Sequence, residues 1–122
     1  KGLGAVHSMS HACGADQSLR LHHGTLNAVI LPTILDFNRD YVGDKYSRLN
    51  AAMGIEGSAD PAGFIRNLNA EMELPANLSE MGVQKDSIPD LAAHAAKDVS
   101  NFTNPRPVSE EEYESLFEIA LS

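Results

Sequence analysis

Basic side chains are scarce in this sequence: nine Lys and Arg stand against 17 Asp and Glu in 122 residues, a formal charge of −8. A chain with that balance has little with which to neutralise phosphates. Binding nucleic acid by counterion release is therefore excluded as a main function, and anionic membranes are equally poor partners. Cysteine is almost absent. Cys13 stands alone, so an internal disulfide and a multi-cysteine zinc framework are both excluded, and a reducing compartment, the cytoplasm, is expected. Long apolar runs are missing as well: the most apolar stretch, 28–35, contains Pro32 and Thr33 and falls far short of the roughly 20 residues that span a bilayer. The opening residues lack the apolar core and small-residue cleavage site of a secretory signal, since His7 and His11 interrupt them. The chain begins without Met and runs at once into helix-forming residues, as though continuing a longer polypeptide.

Alternation of apolar and polar residues long enough for a buried strand is also lacking, and no internal repeat is visible. What remains is helical periodicity, with 43% hydrophobic residues to fill one core. The fold class expected is all-α, with about five to six helices. The first helix spans about Leu3 to Ala15 and is made of Gly, Ala, Ser, Val and Met, small residues that let neighbours approach on several sides. The second, from about His23 to Phe37, carries Leu26, Val29, Ile30, Leu31, Ile34 and Leu35 around most of its circumference and should be kinked by Pro32. A third runs from Asp44 to Met53, stops at Gly54, and turns Tyr46, Leu49 and Met53 to one face. Asp60 as cap and Pro61 at the first position open a fourth, with Phe64, Ile65, Leu68 and Met72 inward.

Asp86 or Ser87 can cap a fifth helix that buries Leu91, Ala95 and Val99. A loop, 101–107, follows. The last helix starts at Ser109, where Glu112 has the capping-box spacing and three acidic residues meet the positive end of the dipole; Tyr113, Leu116, Phe117, Ala120 and Leu121 form its stripe.

Three features can carry chemistry: His7 and His11 four residues apart on the first helix, His22-His23-Gly24 opening the second, and the polar segment between them. An i,i+4 pair presents both imidazoles on one face, and a His at the start of an antiparallel neighbour can be brought against that face. Neutral imidazoles suit divalent first-row metals, although a stable site needs further ligands. The plainer reading is that these rings are hydrogen-bonded core or helix-end residues. Against it, polar rings on a helix of small apolar residues need a compensating partner, and a metal is one. Elsewhere the plain reading holds: Cys13 as a packing residue, His94 exposed, Asp36 and Asp40 as turn or surface carboxylates, and the Asn77 and Asn101 glycosylation triplets accidental.

The segments Gly-Leu-Gly-Ala-Val-His-Ser-Met-Ser-His-Ala (2–12), His-His-Gly-Thr-Leu-Asn-Ala-Val-Ile-Leu-Pro (22–32) and Asp-Phe-Asn (36–38) together resemble the metal-binding region of the iron-containing (group III) alcohol dehydrogenases. Thr-Asn-Pro-Arg-Pro-Val before an acidic helix resembles the carboxyl end of the same family. The resemblance implies a two-domain parent enzyme, of which residues 1–122 are the partial C-terminal helical metal-binding domain, the nucleotide-binding domain being absent. It implies a dehydroquinate synthase-like fold, His7 and His23 as metal ligands, and His11 beside metal and nicotinamide as a catalytic proton relay. Choosing His23 over His22 rests on the Gly that follows. It further implies Fe2+, or Zn2+ or another divalent ion, and NAD(P) held mainly by the missing domain, for hydride transfer between a small alcohol or aldehyde and NAD(P) with the metal polarising the substrate oxygen.

The family's Asp-x-x-x-His ligand helix and its Gly-Gly-Gly-Ser phosphate loop have no counterpart in the sequence, so the fragment alone is expected to be inactive. With the faces of its first two helices uncovered, it is also expected to form a homo-oligomer. Two alternatives stay open: a free-standing helical binding or scaffold domain without catalysis, and a glycerol dehydrogenase or maleylacetate reductase type of the same superfamily.

Overall fold

The structure is a computed structural model and describes residues 4–15, 22–42, 44–54, 60–106 and 108–122. The order of its helices is α1 (Gly4–Gly14), α2 (His23–Asn38), α3 (Lys45–Ala52), α4 (Pro61–Glu71), α5 (Ile88–Lys97) and α6 (Glu110–Leu121), with no strand among the described residues. Short 3-10 helices, of which Val99–Thr103 is the longest, complete the connections. The all-helical expectation is met. The polar segment between the first two helices, 16–21, lies outside the described residues.

Small residues put α1 at the centre. It packs against α2, α5 and the 99–103 helix, and Ala5, Ser8, Met9, Ser10, Ala12 and Cys13 are all buried. Around it Leu26, Ile30, Tyr113 and Phe117 are fully buried, each such side chain stabilising the fold by about 1.5–3 kcal/mol. Cys13 is buried in this core and His94 is exposed, as read from the sequence.

Side chains 99 positions away satisfy the first N–H groups of α1. Thr103 Oγ1 accepts from the Gly4 N–H and Asn104 Oδ1 from that of Ala5, both at 3.2 Å. Gly4 has φ +74°, and a Cβ there would sit 3.4 Å from Asn104 Oδ1, so both backbone freedom and space favour glycine. Asn104 also exchanges two amide hydrogen bonds with Asn38 at the end of α2, 3.1 and 2.8 Å. Arg106 lies over the Phe37 ring at 3.9 Å and the Tyr41 ring at 4.7 Å while donating to Glu112 at 2.8 Å. The 103–106 segment thereby ties the ends of α1, α2 and α6 together, which fixes the α1–α2 pair that carries the histidines.

Helix α2 continues through Pro32. Proline offers no N–H to the carbonyl four residues earlier, and that carbonyl, Ala28 O, accepts instead from Asn69 Nδ2 of α4 at 2.8 Å. Two further local signals read as expected: Asp60 caps the Ala62 N–H, and Ser109 and Glu112 close a reciprocal capping box at 3.1 Å in each direction. The whole α6 stripe, Tyr113 to Leu121, is buried.

Four corrections concern faces and caps. Leu49 of α3 is exposed, and the residue buried from that helix is Asn50. Leu68 and Met72 are exposed too, Phe64 and Ile65 are half-buried, and the residues α4 buries are Pro61, Ala62 and Asn69, the last of which donates to Ala28 O of α2. Val99 lies outside α5 and is 77% exposed, since Asp98 leaves helical geometry at ψ 138° and residues 99–103, partly expected as loop, coil into a 3-10 helix. Ser87 stands at the cap of α5 without capping it, the chain entering through a 3-10 turn, Lys85–Ser87. The exposed large apolar side chains include Leu68, Met72, Val99, Phe102 and Ile119, which lie outside α1 and α2.

Candidate metal site

An i,i+4 spacing on α1 places the imidazoles of His7 and His11 side by side, centroids 5.9 Å apart and 68° between planes. The start of α2 then delivers His23 to both, at 5.8 Å from His7 and 5.6 Å from His11, the latter pair stacked at 16°. Three rings from two helices thus form one cluster. His22 does not join it: its Nδ1 accepts from the Thr25 N–H at 3.3 Å and caps α2. Adjacent residues at a helix start point in different directions, so one serves as the cap and the other reaches the neighbouring helix.

Each of two rings has one nitrogen engaged. Ser10, fully buried, places Oγ 3.1 Å from His23 Nδ1. His11 Nδ1 lies 2.9 Å from Asp98 Oδ2. Asp98 is itself fixed at the junction of α5 and the 99–103 helix, where its Oδ1 accepts from the Ser100 N–H at 2.8 Å. Burial works to raise the Asp98 pKa, but the Ser100 N–H and the His11 ring outweigh it and hold the carboxyl below its ordinary value. Behind the cluster Tyr113 donates to Asn101 Oδ1 at 2.7 Å. Burial pushes its phenol up to about 12; the Ser8 hydroxyl opposes this and the Asp98 charge adds to it.

Two imidazoles bound to one ion through nitrogens about 2.1 Å from it have ring centroids roughly 4.6–5.3 Å apart. The 5.8 Å between His7 and His23 is within a small ring movement of that range, and the Ser10 contact leaves His23 Nε2 as the donor atom. The residues present therefore fit part of a coordination shell. They do not make a whole one: among the described residues no three His, Cys, Asp or Glu side chains form a ligand set, and Asp98 is engaged by His11. Asp36 is exposed and pairs with Arg39 at 2.8 Å and Arg66 at 3.0 Å, and Asp40 is exposed, both surface carboxylates as expected. Sequence reasoning missed Ser10 and Asp98. Ser10 could have been found by its place on the histidine face, three residues after His7, whereas Asp98 is 87 residues from its partner and carries no local signal.

The model of the Fe-containing alcohol dehydrogenase family, C-terminal, matches residues 1–121. The chain belongs to this family. Among its relatives, the 4-hydroxybutyrate dehydrogenase of Cupriavidus necator is 40% identical over 99% of the chain and 34% of that protein. The lactaldehyde reductase of Escherichia coli K12 is 35% identical over 98% of the chain and 33% of the relative. A solved 1,3-propanediol oxidoreductase superposes with a TM-score of 0.90 at 29% identity, covering 98% of the chain and 33% of its own. An iron-containing alcohol dehydrogenase of Thermococcus thioreducens gives 0.84 at 27%, with 97% and 32% covered. This family member therefore spans about a third of the length of the relatives it matches. Its fold is that of the Fe-containing alcohol dehydrogenases, and no helix among its described residues is long and apolar enough to cross a membrane.

Proposed function

We propose that the chain is the C-terminal helical metal-binding part of an NAD(P)-dependent alcohol dehydrogenase, and that it is inactive by itself. The observation that carries this reading is the meeting of His7, His11 and His23 within 6 Å of one another, centroid to centroid, across α1 and α2. His7 and His23 would hold the ion, Fe2+ or another divalent metal, through neutral imidazole nitrogens, with the remaining ligands supplied from elsewhere in the parent enzyme. Bound there, the metal would supply Lewis acidity that lowers the pKa of an alcohol oxygen. His11 would be the catalytic residue from this chain, accepting the alcohol proton in oxidation and returning it in the reverse reaction, while the dinucleotide, when bound, would supply the hydride acceptor. Ser10 orients His23, as partners of ligand imidazoles do elsewhere. The substrate class, a small alcohol or aldehyde, follows the named activities of the relatives, and the dinucleotide would be held mainly by residues outside this sequence.

The test is to carry this segment in a full-length enzyme, replacing the matching third of a relative such as the lactaldehyde reductase. Bound metal and alcohol oxidation are then measured with His7→Ala and His23→Ala. Each substitution is expected to lower metal content and turnover together. Full metal occupancy and turnover in both variants would reject the ligand assignment.

A further inference from the structure

We propose that Asp98 is the positioning residue for His11: it sets the ring's orientation and holds its proton on Nδ1, leaving Nε2 as the proton-accepting nitrogen. An ionised carboxylate can only accept hydrogen bonds, so with Asp98 Oδ2 at 2.9 Å the His11 Nδ1 must be the donor. A neutral imidazole has one N–H, and the far nitrogen is then a bare acceptor. The contrast with His23 is informative. Its partner Ser10 Oγ can either donate or accept and follows whichever tautomer the ring adopts; a carboxylate dictates it.

The carboxylate is well placed to dictate. Its side chain is only 13% exposed, and its other oxygen is pinned by the Ser100 N–H at 2.8 Å where α5 gives way to the 99–103 helix. Both of those elements pack on α1. Asp98 is thus held by the same elements that hold His11, and the contact needs no group outside the chain. The role of Nε2 as acceptor of an alcohol proton rests on the proposed function; the tautomer does not.

The experiment is long-range 1H–15N correlation of the imidazole nitrogens of the 122-residue chain, at a pH where the rings are neutral. His11 is expected as the Nδ1–H tautomer. In Asp98→Asn the amide oxygen can keep the Ser100 N–H, which turns the NH2 group toward His11 Nδ1; that nitrogen must then accept, and the proton is expected to move to Nε2. Asp98→Ala is expected to remove the single-tautomer signature altogether. Observation of His11 as Nε2–H in the unsubstituted chain overturns the proposal whatever the variants do, and so does an unchanged tautomer in a folded Asp98→Asn chain. In the full-length enzyme Asp98→Asn is expected to lower kcat for alcohol oxidation about 100-fold, the size of a lost general base, with metal content unchanged. Full kcat alongside an inverted tautomer would sink the role given to His11 in catalysis while leaving Asp98 as its positioning residue.

Discussion

Asn69→Ala is expected to unfold the chain more easily only as long as Pro32 is present. Pro32 leaves the Ala28 carbonyl without its helical donor, and Asn69 Nδ2 fills the gap from α4 at 2.8 Å. Asn69 is 9% exposed, and removing its amide loses one hydrogen bond, about 0.5–1.5 kcal/mol, and strands an acceptor at a further cost of about 1–3 kcal/mol if water is kept out. Water is not wholly kept out, because Asn69 and Pro32 line a cavity of about 470 Å3 shared with Arg66 and Ile119. The lower part of the range, about 1–2 kcal/mol in total, is therefore expected. In a Pro32→Ala background the backbone N–H restored at that position can bond to Ala28 O within α2. The same Asn69→Ala change should then cost less than about 0.5 kcal/mol, giving a coupling of about 1 kcal/mol. Helix propensity and the small cavity left at position 69 enter both arms and cancel. Urea unfolding of the four chains, compared at equal m values, measures it. Equal costs in both backgrounds would refute the claim that the α4 contact exists to satisfy the proline-exposed carbonyl.

Other outcomes follow from the same contacts. His22→Ala should destabilise the chain by about 1 kcal/mol through loss of the α2 cap and leave metal content of the full-length enzyme unchanged, whereas His23→Ala should do the reverse; comparison of urea midpoints with metal analysis separates them. Ser10→Ala, by freeing His23 Nδ1, should weaken metal binding about 10–100-fold, read by titration with Co2+. Tyr113 has a folded-state pKa raised from 10.0 to about 12. Its contribution is fully present below about pH 10 and is lost as pH rises through about 12, so Tyr113→Phe should flatten the alkaline fall in stability, measured by denaturation across that window. Ser109→Ala opens the α6 capping box and should cost about 1 kcal/mol, checked by the thermal midpoint.

Local chemistry was readable wherever a helix is specified by its own residues. Asp60-Pro61 and the Ser109–Glu112 box mark helix starts because the side chain and the N–H it satisfies lie two or three positions apart. The α6 stripe was readable because one apolar face meets one core. The stripe reading held only in part on α4: Phe64 and Ile65 are half-buried, while Leu68 and Met72 stay exposed and a polar residue, Asn69, is buried where it reaches the Ala28 carbonyl. It failed at Val99, where Asp98 ends the helix to bind Ser100 and His11.

The candidate site divides along the same line. Residue type and spacing alone determined that His7 and His11 share a face, that a His at the head of the next helix could meet them, and that a chain with one cysteine has no multi-cysteine framework for a metal. Tertiary structure decided that His23 faces the cluster while His22 caps, that a buried Ser10 backs one ring, and that Asp98 holds another from 87 residues away. The reason is physical. A helix's own periodicity dictates which side chains lie together on its surface, but the nitrogen that a ring offers is set by the groups pressed against it, and those arrive only when distant helices pack.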